Sequence, residues 1–328
     1  MAKNIILKLK EADLSGRGGA GFPTWLKWDL VKKAQGEKKY VICNASEGEP
    51  CVFKDKHIIE NYPEELINGI VLAMEELSAS EAYIYLNKDY YLKYGKNLKK
   101  IINKKKINLF KKTGGYIGGE ESALCESIEG KRVEPRFKPP YLAEKGLFNC
   151  PTLVNNVETF YYASKINKEE YNQTRFYSIN GDVLNPGVYE LKESLSMEEI
   201  LKETKNYPSF DFFVQAGGGV SGEIFLREEL KTPCLGAGSI TVYNKLKTDP
   251  FRLMEKWIEF FNYGNCDKCL PCREGGYRLG EMIKRRDLNR EMISEILFSL
   301  KESSFCALGR SIPVPFRSFL KKVMEIEL

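Results

Sequence analysis

The sequence predicts an α/β chain that ends in a helical region, and three observations point to it. The first part alternates short apolar runs with stretches of helical spacing, near Phe176 the texture changes to strands around one helix, and from Pro250 onward helical spacing dominates. At 328 residues, with 43% hydrophobic and 29% charged side chains, the chain is long enough for two or three cores of its own.

Tyr40-Val41-Ile42-Cys43 is a short apolar run fit for a buried parallel strand. Pro63 opens a helix with Leu66, Ile67, Ile70, Val71, Met74 and Leu77 at helical spacing. Ala82 to Leu86 reads as the next strand, which makes a βαβ unit, and Asp89 to Lys106 adds a helix with Tyr90, Tyr94, Leu98 and Ile101 on one face. A doubly wound, Rossmann-like sheet is expected. Phe176 to Asn180, the turn at Asn185-Pro186-Gly187 and Val188 to Leu191 read as a hairpin, followed by a helix that Ser196 and Glu199 open as a capping box. Phe210 to Val214, Glu223 to Arg227 and Ser239 to Tyr243 are further strands of a small α+β domain. The expected division is 1–173, 174–247 and 248–328. Lys104-Lys105-Lys106 and Lys111-Lys112 read as a solvated face.

A net charge of +5 spread over the whole chain lacks the concentrated basic stripe of a nucleic-acid reader. The longest apolar stretch, Ile70 to Met74, is too short to span a bilayer, and the N-terminus has no signal-peptide core. A cytoplasmic protein is expected, reaching a membrane only through a larger complex. The one histidine, His57, argues against His-rich zinc sites, Rieske centres and His-paired nucleophiles.

Nine cysteines in such a chain are more simply thiols or metal ligands than disulfides. Cys266-x2-Cys269-x2-Cys272 puts three thiols on one loop, with Cys306 on a distant segment. Zinc ribbons bring two C-x2-C pairs, so this three-plus-one spacing favours a [4Fe–4S] cluster over structural zinc. Cys43, Cys51, Cys125, Cys150 and Cys234 read as core residues. Gly16, Gly18 and Gly21 match G-x-G-x-x-G, but no strand leads into them, so a nucleotide loop and a glycine-rich turn are both open.

Taken together, GRGGAGFPTWLKW, NASEGEPCVFKD, GGYIGGEESALCESIEGKRVEPRFKPPY, CPTLVNNVETF, CDKCLPCREG and FCALG resemble, in order, the NADH-oxidising flavoprotein subunit of respiratory complex I and its homologues in NAD-linked hydrogenases and formate dehydrogenases. The resemblance runs from Gly16 to about Leu320. It implies a Rossmann-like domain for FMN and NADH, a ubiquitin-like (β-grasp) α+β domain, and a C-terminal helical bundle holding a [4Fe–4S] cluster. By motif position, FMN would draw on Gly16, Arg17, Gly18, Lys27, Asn44, Ser46, Tyr116, Gly119, Glu120, Asn155, Asn156 and Thr159, with Gly19 and Glu47 as further cofactor-binding residues. NADH would meet Phe22, Glu49, Glu121, Lys138 and Tyr141, with Glu49 and Lys27 as the candidate catalytic side chains. Cys266, Cys269, Cys272 and Cys306 would hold the cluster. The pattern departs from the family's usual one at Leu30 (an aromatic), Ser46 (Asp), Cys51 (Gly) and Tyr141 (Phe).

The implied function is that of an NADH:acceptor oxidoreductase subunit. Hydride passes from NADH to FMN, then single electrons pass through the cluster to a thioredoxin-like [2Fe–2S] subunit and a larger multi-cluster iron–sulfur subunit. Glu121, facing the adenosine ribose, would accept its hydroxyls and repel a 2′-phosphate, so NADH is expected over NADPH. Taken singly, these residues have plainer roles. Glu120 and Glu121 complement a helix dipole, Asn155-Asn156 holds a turn, Phe22 and Tyr141 are partly buried packing aromatics, and Lys27 and Lys138 are surface charges. Two other functions stay open: an electron-relay or scaffold subunit that no longer binds a nicotinamide, and a zinc-stabilised binding module.

Overall fold

The computed structural model describes residues 4–328, and chain contacts divide it into two units. The first runs up to Gly48 and includes Phe53–Gly114 and Gly118–Phe176. It begins with α1 (Ile5–Glu11), whose N-terminus is capped by Asn4, and α2 (Thr24–Lys33), with the glycine loop between them. There follow β1 (Tyr40–Ala45), α3 (Lys54–Asn61), α4 (Pro63–Leu77), β2 (Glu81–Leu86), α5 (Lys88–Ile102) and β3 (Ile107–Lys111). Next come α6 (Glu121–Ile128), the short α7 (Leu142–Lys145), β4 (Thr152–Asn156) and α8 (Val157–Asn167).

The four strands are parallel and lie in the order β3-β2-β1-β4. The chain steps outward from β1 through β2 to β3, then returns to the other side of β1 with β4. That reversal makes a topological switch point between β1 and β4, and in open α/β sheets the crevice at the carboxyl ends of such strands is where ligands bind. The apolar stripe expected from Pro63 onward is the buried face of α4: Leu66, Ile67, Ile70 and Leu77 are at most 1% exposed. Gly69 lets α4 approach α8 closely, since a Cβ there would collide with the carbonyl of Phe160.

Two details differ from expectation. The helix that begins near Asp89 ends at Ile102, because Asn103 takes a positive φ of 46° and turns the chain into β3. β3 is an edge strand flanked by lysines, a composition that protects an edge and hides the strand from a search for apolar runs.

The second unit comprises Glu49–Val52, Gly115–Ile117 and Tyr177–Leu328. Its sheet is built from β5 (Thr174–Gly181), β6 (Gly187–Lys192), β7 (Phe212–Ala216), β8 (Glu223–Leu226) and β9 (Ser239–Asn244), in the order β6-β5-β9-β7-β8. β5 and β9 are parallel, whereas β7 is antiparallel to both β8 and β9. The predicted Ser196–Glu199 capping box opens α9 (Met197–Glu203), whose Met197, Ile200 and Leu201 join Tyr177, Ile179, Val214, Ile240 and Val242 in one core. Beyond it stand α10 (Pro250–Gly264), α11 (Gly276–Lys284), α12 (Arg290–Ser303), α13 (Ala307–Ser311) and α14 (Pro313–Lys322). The fold is therefore a mixed α/β one, with a parallel sheet and a helical C-terminal region. No helix among the described residues is long and apolar enough to cross a membrane.

Candidate functional site

At the carboxyl ends of β1 and β4 the first unit gathers most of the expected residues. Asn44 donates to the carbonyl of Gly119 (2.8 Å), and its Oδ1 accepts from the Ser46 hydroxyl (2.6 Å), which ties the end of β1 to the turn before α6. Asn155 accepts from the indole N–H of the fully buried Trp28 (2.9 Å). Asn156 caps α8, its Oδ1 accepting from the Thr159 N–H and hydroxyl. The same hydroxyl accepts from the N–H of Arg17 (2.9 Å), so the glycine loop is pinned to the start of α8. Gly19 and Gly21 have φ of 111° and 65°, which keeps the loop free of side chains where it turns. A Cβ at Gly119 would meet Ser46 Oγ at 2.8 Å, so that turn also needs a bare backbone.

A buried ion pair that the sequence does not advertise braces this loop from beneath. Lys54 Nζ lies 2.7 Å from Glu158 Oε2, donates to the carbonyl of Arg17 (3.0 Å), and stands 3.4 Å from Asp55. Burial works against the ammonium, but Glu158, Asp55 and Glu47 outweigh it and raise its pKa. Glu47 caps the start of α3, accepting from the N–H groups of Asp55 and Lys56 and from Tyr90 Oη. Burial, with Asp55 nearby, pushes the Glu47 carboxyl up to about 8.

Glu120 and Glu121 begin α6 as expected, but they do different work. Glu120 is the N-cap, accepting from the N–H groups of Ser122 and Ala123. Glu121 sits between two lysines, 2.9 Å from Lys27 and 3.0 Å from Lys138, and Lys138 also reaches Glu120 at 3.0 Å. Burial alone would raise the Glu121 carboxyl, but the two ammonium groups override it and bring it down to about 2. Lys27 and Lys138 are therefore partners of one ionised carboxylate, not solvated charges. Phe22 and Tyr141 are 43% and 58% exposed, so neither is the packing aromatic its residue type suggests. Lys112 is likewise no part of a solvated face: burial lowers its ammonium to about 8, and it donates to the carbonyl of Ser46 at 3.4 Å.

Glu49 and Tyr116 belong to the second unit and are bonded to each other, Tyr116 Oη donating to Glu49 Oε1 at 2.6 Å. Glu49 also accepts from the N–H groups of Val220 and Ser221 and from the Ser221 hydroxyl. Both oxygens of this carboxylate are engaged, which suits a fixed anchor.

The cysteine loop runs into α11 through one wider helical turn, Pro271–Gly275, which carries Cys272; such turns recur at functional sites. Cys306 caps α13, and the N–H of Phe305 points at Cys269 Sγ (3.5 Å). A Cβ on Gly309 would lie 3.2 Å from Cys272 Cβ, so that glycine admits close approach of the two segments. Burial first, and then the Cys269, Cys306 and Cys266 sulfurs, push the Cys272 thiol up to about 12. Among the described residues no three Cys, His, Asp or Glu side chains close into a compact ion-binding group; Cys272 feels the other three thiols, and none of the four is in a disulfide. An all-thiol donor set from a C-x2-C-x2-C loop and one remote cysteine has the chemistry that an iron–sulfur cluster takes. Of the other five cysteines, Cys43, Cys125 and Cys234 are buried as expected, whereas Cys51 and Cys150 are only half-buried. Cys51 takes a φ of 64°, a turn conformation that pulls it from the core.

Comparison with known proteins fits this geometry. A model of the Nuo51 FMN-binding domain matches residues 9–165, and one of the NADH-ubiquinone oxidoreductase-F iron–sulfur binding region matches residues 252–326. The chain is 33% identical to the F 2 subunit of the NADH-quinone oxidoreductase of Rhizobium meliloti, over 97% of this chain and 86% of that protein. It is 32% identical to the NAD-reducing hydrogenase HoxS subunit alpha of Cupriavidus necator, over 99% of this chain and 60% of that protein. A solved NAD+-reducing [NiFe]-hydrogenase, in the air-oxidized state, has a chain that matches with a TM-score of 0.89 and 30% identity, over 96% of this chain and 60% of that one. The chain thus spans about three-fifths of the length of the hydrogenase chains it matches. It belongs to the family of the NADH-quinone oxidoreductase F subunits, NADH dehydrogenase subunits with an FMN-binding domain and a [4Fe–4S]-binding region.

Proposed function

We propose that the cleft at the carboxyl ends of β1 and β4 takes FMN and NADH together, and that the chain is the electron-input subunit of a larger assembly. One observation carries the reading: a glycine-rich loop, a capped helix start and an ionised carboxylate held by two lysines all border one switch-point crevice. FMN bound there would supply the step from hydride to single electrons that joins a two-electron donor to a one-electron cluster.

The chain's own residues bind and orient. Gly18 and Gly19 would offer backbone N–H groups to the flavin phosphate, on a loop held in place by the Gly16 N–H on the Phe22 carbonyl, the Arg17 N–H on Thr159 and Lys54 on the Arg17 carbonyl. Asn44, Ser46, Gly119 and Glu120 would line the ring side, with Asn155, Asn156 and Glu47 shaping the floor. Phe22 and Tyr141 have exposed rings for the adenine, and Glu121 would accept the ribose hydroxyls. Lys27 keeps that carboxylate ionised and is one candidate catalytic side chain; Glu49, fixed by Tyr116 and Ser221, is the other. The acceptors would be a thioredoxin-like [2Fe–2S] subunit and a multi-cluster iron–sulfur subunit, with Cys266, Cys269, Cys272 and Cys306 holding the cluster that feeds them. The working division is 1–173, 174–247 and 248–328. A ubiquitin-like middle part is supported by its central parallel β5–β9 pair and by α9 packed on the same sheet.

Glu121→Gln tests the nicotinamide assignment. A carboxylate repels a 2′-phosphate, and like-charge juxtaposition of this kind costs several kcal/mol. Its removal also leaves Lys27 and Lys138 without their shared partner. Steady-state oxidation of NADH and NADPH with ferricyanide as acceptor should show the preference for NADH reduced at least about tenfold, a step of ~1.4 kcal/mol, mainly through a lower KM for NADPH. An unchanged ratio would remove Glu121 from the nucleotide site.

A further inference from the structure

We propose that Lys112 is a further flavin contact, setting a positive charge against the polar N1–C2 edge of the FMN ring; this rests on the reading that FMN binds in the cleft. Lys112 follows the last residue of β3, and its own N–H continues the ladder to the carbonyl of Leu86 (2.8 Å). Its side chain then runs back across the end of the sheet. Lys112 Cε lies 3.2 Å from where a Cβ on Gly118 would stand, and its Nζ lies 3.4 Å from the Ser46 carbonyl and 4.0 Å from the Cβ place on Gly119. Ser46 and Gly119 are two of the residues assigned to the ring side of the cleft.

Among the described residues no carboxylate pairs with this ammonium; the Ser46 carbonyl is its one hydrogen-bond partner. A half-buried cation without a counter-charge is costly, and burial accordingly lowers its pKa to about 8. A ligand that brings electron density to this point offsets that cost.

The strand order says which end of FMN that is. The glycine loop, pinned to Thr159 at the start of α8, lies with β4, while β3 is the opposite edge of the sheet. Strands lie ~4.8 Å apart, so β3 is about 14 Å from β4. With the phosphate at the glycine loop, Lys112 approaches from the side that the ring occupies. Two-electron reduction places negative charge on the N1–C2 edge, and charge near this edge tunes the cofactor's electronics. Lys112 therefore favours the reduced flavin over the oxidised one.

The test uses the full chain loaded with FMN, as wild type, Lys112→Met, Lys112→Gln and Lys112→Arg. The midpoint potential of the bound flavin is measured by dye equilibration, and affinities for FMN and riboflavin by fluorescence quenching. In the Met and Gln variants the preference for reduced over oxidised flavin should fall about tenfold, a potential lower by ~30 mV for a two-electron couple. Lys112→Arg should keep most of the wild-type potential, and FMN and riboflavin should weaken by the same factor in the two neutral variants. Normal FMN binding with an unchanged potential in both neutral variants would overturn the role of Lys112 and leave the cleft assignment standing. A loss confined to FMN, with riboflavin unaffected, would move Lys112 to the phosphate and overturn the ring-edge assignment. A wild-type chain that takes up no FMN would overturn the cleft assignment and this one with it.

Discussion

Lys54→Met is expected to cost the fold about 3–5 kcal/mol, the usual penalty for leaving one member of a buried pair alone. Lys54 is 2% exposed and Glu158 0%, so neither charge is relieved by water once its partner is gone. The same ammonium holds the Arg17 carbonyl, so its loss also unpins the glycine loop. Urea midpoints should drop for Lys54→Met and recover in part when Glu158→Gln is added, because the double variant no longer buries the Glu158 charge without its closest counter-charge. Burial disfavours ionised Glu158, but Lys54, Arg175 and Arg17 outweigh it and hold its carboxyl below the ordinary range. A carboxyl held low contributes stability that is complete above about pH 4.5 and lost as the pH falls through its lower folded value. Without Lys54 that contribution shrinks, and acid unfolding should begin at higher pH. A midpoint and acid limb equal to wild type would show that Lys54 is not the strut described.

Cys272→Ser should produce the second large effect, loss of the iron–sulfur cluster. Cys272 is the buried member of the set: it is 7% exposed, whereas Cys266, Cys269 and Cys306 are half-buried, and it feels the sulfurs of all three. A direct ligand should matter at least as much as the outer partners of metal sites, whose loss costs ~10–100-fold in affinity. Iron and acid-labile sulfide after anaerobic reconstitution should therefore fall by at least ~10-fold. Cys150→Ser, on a half-buried cysteine of the other unit, should load as wild type does. Equal loading of Cys272→Ser would take that cysteine out of the cluster.

How much of this is legible in the sequence depends on whether a residue's role is local. β1, α4 and β2 can be read because burial imposes a period on neighbouring residues, and the Ser196–Glu199 capping box because it closes within one turn. β3 cannot, since an edge strand among lysines has no apolar run, and α1 is hidden by its alternation of charge with aliphatics. The cysteine spacing announces a cluster on its own. The cleft residues emerge only from the joint occurrence of long strings, for each is ordinary alone. Lys54 and Glu158 lie far apart in the chain, and residue type places both at the surface, so only the fold reveals them as a buried pair. Lys112 misleads for the same reason: a lysine beside other lysines reads as solvated until the sheet turns it inward.

Anaerobic stopped-flow mixing of the FMN-loaded protein with NADH or NADPH, following flavin bleaching in the visible, tests the central claim most directly. Rapid bleaching by NADH, with NADPH much slower, is the result expected of a cleft in which Glu121 faces the adenosine ribose. Flavin that stays oxidised with both nucleotides yet bleaches with dithionite would contradict it, and would make the chain an electron relay.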